Sequence, residues 1–208
     1  MNKTSLLFLI SILISFMIVP VCAQVSVGLS KGDWMEYDVS YTGSPPDYYP
    51  ESSRFEVHSI QGTTITVSIK NDLLNGTQST KDYTFNLENG APDLIIVPSN
   101  LDVGDEVIHE DVGSFLIEGI SEYDYEGETR ELVYANVAQV DFSWDRATGV
   151  LIEAEQSQDT WTQTFLAVNT NIVQSQFLGL NSMLLYGIVI GVTIILVVVI
   201  VIILKINK

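Results

Sequence analysis

Trp34-Met35-Glu36-Tyr37-Asp38-Val39-Ser40-Tyr41 sets Met35, Tyr37, Val39 and Tyr41 against Trp34, Glu36, Asp38 and Ser40. An extended chain turns successive side chains to opposite faces, so this octapeptide reads as a strand with one buried and one solvated face. The same period recurs where Ile65, Val67 and Ile69 alternate with Thr64, Thr66 and Ser68, and where Tyr83, Phe85 and Leu87 alternate with Asp82, Thr84 and Asn86. Between the runs stand Gln61-Gly62, Asn75-Gly76, Asn89-Gly90 and Gly104-Asp105, pairs suited to tight turns. Further strands are expected at residues 55–60, 106–110, 115–120, 130–137, 140–144, 150–156 and 160–168, and helical periodicity is hard to find before residue 170. About ten short strands joined by tight turns predict a mainly β domain, a single antiparallel curved sheet forming a half-barrel or barrel.

On both sides of this domain the composition changes abruptly. Residues 183–204, MLLYGIVIGVTIILVVVIVIIL, carry no charge and are followed by Lys205 and Lys208. At about 1.5 Å per residue such a run makes a helix long enough to cross the roughly 30 Å hydrocarbon core of a bilayer. Residues 1–23 hold one positive charge at Lys3, an apolar core from Leu6 to Val19, Pro20, and small residues at Val21 and Ala23. That is the layout of a secretory signal peptide cleaved after Ala23. The expected organisation is a signal peptide at 1–23, an extracellular β domain at 24–170, a juxtamembrane stalk at 171–182, a transmembrane helix at 183–204 and a cytoplasmic tail at 205–208. The lysines after the span agree with the positive-inside rule, placing the domain outside a single-pass cell-membrane protein. A retained N-terminal anchor is the rival reading; if the segment is removed, Cys22 goes with it and the mature chain has neither disulfide nor thiolate to use.

All 26 acidic residues lie in 24–182 against six basic ones, a formal charge of −20. A surface of that sign repels nucleic acid and anionic headgroups, which excludes nucleic-acid binding. The densest acidic stretch, 118–131, places Glu122, Asp124, Glu126 and Glu128 at every second residue. On one strand these would share a solvated face, with Tyr123 and Tyr125 opposite; a weak calcium site is the second reading of those carboxylates.

Catalytic motifs are missing. The sequence contains no G-x-S-x-G, H-E-x-x-H, P-loop or G-x-G-x-x-G, and His58 and His109 are its only imidazoles. No catalytic, cofactor-binding or metal-binding residue is assigned, and the expectation is a protein that is not an enzyme. Residues 41–53, YTGSPPDYYPESS, hold three prolines and read as an exposed loop whose Tyr41, Tyr48 and Tyr49 form a partner-contact surface, or else fold back over the sheet's open edge. Asn75-Gly76-Thr77 is a sequon in an expected hairpin turn, making Asn75 the candidate glycosylation site. Gly187 and Gly191 form G-x-x-x-G in the apolar run, a spacing for helix–helix contact and hence for a homodimer. In Asp145-Arg146-Ala147-Thr148-Gly149, Asp145 can cap a turn that Gly149 closes in the left-handed region.

Three stretches carry a resemblance: 31–39 (KGDWMEYDV), 96–105 (IVPSNLDVGD) and 144–151 (WDRATGVL). The chain resembles archaeal cell-surface proteins made of a signal peptide, a β-rich ectodomain and one C-terminal membrane helix, a likeness that brings no activity and no catalytic residue. The third stretch is also similar to hairpins of curved-sheet lipid and lipoprotein carriers of the LolA and LppX type, in which the concave side of a half-barrel holds acyl chains. Two functions follow as expectations. The first is a non-enzymatic binding or structural module at the cell surface, contacting a surface protein or a glycan. The alternative is a tethered carrier of lipid or another hydrophobic ligand. Cavity volume separates them: a filled sheet leaves no space, while a carrier keeps several hundred Å3, the order typical of ligand pockets.

Overall fold

The computed structural model describes residues 25–91, 93–125, 128–172 and 191. Its strands are β1 (Trp34–Gly43), β2 (Pro50–Gln61), β3 (Thr64–Leu73), β4 (Gln78–Asn86), β5 (Glu106–His109), β6 (Gly113–Leu116), β7 (Gly119–Tyr125), β8 (Glu128–Val137), β9 (Val140–Asp145), β10 (Leu151–Ser157) and β11 (Trp161–Thr170). Nine of them form one antiparallel sheet in the order β4-β3-β2-β1-β11-β10-β9-β8-β7, and β5 with β6 makes a separate two-stranded sheet. The mainly β, antiparallel expectation holds. The barrel does not, because β4 and β7 end the order and the sheet stays open. The chain between those two edges leaves the sheet and crosses its inner face, so the edges are never brought together.

Alternation explains which face is inner. Met35, Tyr37 and Val39 of β1, Phe55 and Val57 of β2, Ile65, Val67 and Ile69 of β3, and Val133, Ala135 and Val137 of β8 are all buried. Their neighbours one residue away face solvent or lie half-buried, with one exception, Leu132. Full burial of such side chains stabilises by about 1.5–3 kcal/mol each. Trp144 of β9 anchors what crosses the face. It is fully buried, its ring stacks on Phe115 and Phe142 at centroid distances of 5.9 and 5.3 Å, and its Nε1 donates to the Leu94 carbonyl at 2.6 Å. One side chain thus ties down both the 94–101 segment and the β5–β6 hairpin.

Residues 94–101 are also stitched to the β9–β10 turn. Val97 N donates to Gly149 O at 2.8 Å, Asn100 N to Arg146 O at 2.6 Å, and Leu151 N to Ile95 O at 2.9 Å. In that turn Asp145 Oδ1 accepts from Thr148 N at 2.8 Å and from Thr148 Oγ1 at 2.7 Å, and its Oδ2 meets Arg130 Nε at 2.8 Å. Gly149 sits at φ 75°, and a Cβ there would strike the Val97 carbonyl. Both roles anticipated for Asp145 and Gly149 are therefore present.

Three local expectations are corrected. Residues 115–120 are not one strand, since β6 ends at Leu116 and β7 begins at Gly119, the chain changing sheets between them. The carboxylates at 122–128 do not share one strand, because Tyr125 pairs back with Glu128 across a hairpin. Residues 41–53 are not all loop: β1 runs to Gly43 and β2 starts at Pro50, a first strand position that proline's missing N–H tolerates.

Among the described residues no helix is long and apolar enough to cross a membrane. The expected signal peptide at 1–23 and the expected span at 183–204, Gly191 apart, lie outside them. The packed chain runs to Ile172, which is buried, and Asn171 accepts from Trp34 N at 2.8 Å through Oδ1.

Candidate functional site

The inner face carries a cavity of about 390 Å3. Its floor comes from β1, β2, β3, β4, β9, β10 and β11, with Tyr37, Ile69, Tyr83, Phe142, Ala154 and Phe165 as its apolar lining. Its far wall is Asp93, Leu94 and Ile95 of the crossing segment together with His109 of β5. Tyr37, the largest of the buried residues here, donates its hydroxyl to Leu151 O at 3.0 Å.

Three polar side chains in this lining are buried: Ser53, His109 and Gln163, at 5, 9 and 6% exposure. His109 Nδ1 accepts from the backbone N–H groups of Asp111 at 3.0 Å and Val112 at 3.2 Å. A ring nitrogen that accepts has no proton, so the neutral ring carries it on Nε2. Gln163 is oriented by its network: Tyr41 donates its hydroxyl to Pro50 O at 2.6 Å, so Gln163 Nε2 donates to Tyr41 Oη at 3.0 Å and Oε1 is left as the acceptor. Among the described residues nothing bonds to His109 Nε2, Gln163 Oε1 or Ser53 Oγ. Buried polar atoms are rarely left so without a role.

Tyr41 couples the cavity to the sheet's aromatic end. It lies in β1 rather than in a loop and is half-buried beside Trp161 and Tyr49, at 5.9 and 6.3 Å between ring centroids. Burial pushes its phenol up to about 12, with Tyr49 adding to the shift and the Gln163 bond opposing it. Tyr49 packs on Trp161 at 5.0 Å and on Tyr48 at 5.1 Å, and Tyr48 is 64% exposed. The three expected contact tyrosines do come together, and the sequence reading missed their fourth member. Trp161 begins β11 opposite Gly43, a long-range pairing that no local pattern signals.

Asn75 is exposed in the β3–β4 turn beside this cluster. Asn75 N donates to Asp47 O at 2.8 Å and Leu74 N to Tyr49 O at 2.9 Å, fastening the sequon turn to the tyrosine loop. Asn75 Oδ1 accepts from Thr77 N and Thr77 Oγ1 at 2.9 and 2.7 Å, so the sequon's own threonine occupies the amide oxygen of this exposed residue.

His58 is exposed on β2. Glu122 and Asp124 stand on β7, where Thr129 Oγ1 donates to Asp124 at 2.9 Å, while Glu126 lies outside the described residues. No three His, Cys, Asp or Glu side chains among the described residues gather where they could hold a metal ion. Gly187 also lies outside the described residues, and nothing described stands within 4 Å of a Cβ at Gly191. No family model matches the chain, and neither a curated protein nor a solved structure matches it.

Proposed function

We propose that this is a membrane-anchored extracellular β domain that binds a small, mainly apolar ligand on the inner face of its sheet, a tethered carrier or receptor rather than an enzyme. The observation that carries the reading is the cavity itself. At about 390 Å3 it falls within the roughly 300–1,000 Å3 range of ligand pockets, where a filled sheet would retain almost nothing. Strands as far apart as β4 and β9 line it. Six strand spacings of about 4.8 Å would set those strands nearly 30 Å apart in a flat sheet, so their meeting around one small cavity supports a curved half-barrel. An open curved sheet with a concave site is also what the resemblance to lipid carriers implies.

The test is native mass spectrometry of the full chain released gently from its own membranes, followed by solvent extraction. A discrete bound mass that partitions into organic solvent is expected. Folded protein carrying only its polypeptide mass, and no ligand after incubation with membrane extract, would overturn the proposal. A second reading, contact with a surface protein or glycan, draws on the exposed Tyr48 beside Tyr49 and Trp161. Crosslinking from Tyr48 in whole cells tests it.

A further inference from the structure

We infer that the cavity's ligand is an uncharged single-chain molecule with a hydroxyl head that meets His109 Nε2, in a lining whose other buried polar side chains are Ser53 and Gln163. The inference rests on the proposed binding function and specifies its chemistry. These three side chains are at least nine-tenths buried, come from β2, β5 and β11, and bring to one space an N–H donor, an amide acceptor and a hydroxyl that can do either. A hydroxyl, which both accepts and donates, suits such a lining. A charged head does not.

Among the described residues no Lys or Arg lines the cavity, so a carboxylate or phosphate would be buried without a counter-ion from them, and the carboxylate of Asp93 at the exposed side would repel it. An ammonium would meet the positive end of His109 Nε2–H and would reach Asp93 only in water. Burying an unpaired ion costs far more than a neutral hydrogen bond returns. The volume sets the scale of what is seated inside: about 390 Å3 is at the small end of ligand pockets and holds one chain or ring system.

Four ligands with one common tail separate the possibilities: octanol, octanoate, octylammonium and octane. Each would be titrated against the full chain in lipid nanodiscs, with empty nanodiscs as the blank, and read by nitrogen NMR of the imidazoles. Only His58 and His109 contribute, and exposed His58 is an internal control. Octanol is expected to move the His109 Nε2 signal saturably and to bind more than about tenfold tighter than either ion. Octane should bind without moving that signal. His109→Asn keeps an acceptor for the Asp111 and Val112 N–H groups while deleting Nε2, and should weaken octanol several-fold and leave octane unchanged. If an ion binds as tightly as octanol, or octanol binds without touching His109, the inference fails while the binding function stands. If none of the four binds saturably, both fail.

Discussion

Six buried polar side chains occur among the described residues, and they divide into two groups with opposite fates. At the β9–β10 turn, Asp145 and Thr148 bond to each other and to Arg130, and nearby Ser99 shares its hydroxyl with Ser26 at 2.9 Å. In the cavity, Ser53, His109 and Gln163 each keep a polar atom to which no described residue bonds. The first group is closed within the chain and its role is structural. The second is held in place by neighbours yet incomplete, an arrangement that the proposed ligand would complete.

Substitution should expose this division in full. Asp145→Ala strands the Arg130 guanidinium and two Thr148 donors, and is expected to cost about 3–5 kcal/mol in urea unfolding of the full chain. A loss below about 1 kcal/mol would mean the turn is not the closed network described. Gly149→Ala forces a side chain into the left-handed region and against Val97, with an expected cost of about 1–3 kcal/mol and faster amide exchange at Val97. In the cavity the sign changes. Ser53→Ala removes a hydroxyl that has no partner among the described residues, so stability should stay within about 0.5 kcal/mol or rise, while affinity for a neutral ligand falls. Marked destabilisation there would show the hydroxyl already satisfied, and the comparison would collapse.

Tyr41 stands between the two groups and gives the smallest effect. Its phenol is pushed up to about 12 in the folded chain, against about 10 when unfolded. The folded state therefore keeps the proton longer, and the associated stability is present below pH 10 and lost as pH rises toward 12. Tyr41→Phe should flatten this alkaline decline, and an ultraviolet titration should show one fewer late-ionising tyrosine. An unchanged slope would place the decline elsewhere.

Much of the sheet was legible because its inner face is buried and its outer face is wet, which forces a two-residue period on β1 and β3. The turn at 145–149 was legible for a different reason: Asp145 acts on a residue three positions away and Gly149 on its own backbone, so the signal is local. The cavity joins residues that only the strand order makes neighbours. His109 alternates with Val107, and that pattern places it on the buried face of β5, yet nothing local says that the hairpin covers the main sheet. Likewise Tyr41 and Trp161 meet through β1–β11 pairing across about 120 residues. The acidic alternation misled because it continues through a hairpin without changing period.

The pairing of β1 with β11 has a kinetic consequence. It is the seam between two meanders, β1–β4 and β7–β11, and it joins the first strand to the last. Each meander can zip from neighbouring hairpins with little loop-closure entropy, whereas the seam carries the largest such cost in the domain. During synthesis from the N-terminus, β1 waits beside β2 as an unpaired edge until β11 has been made. Since the cavity draws its floor from both meanders, it comes into existence only when that seam closes, and the binding proposed for it would be the last property the domain acquires.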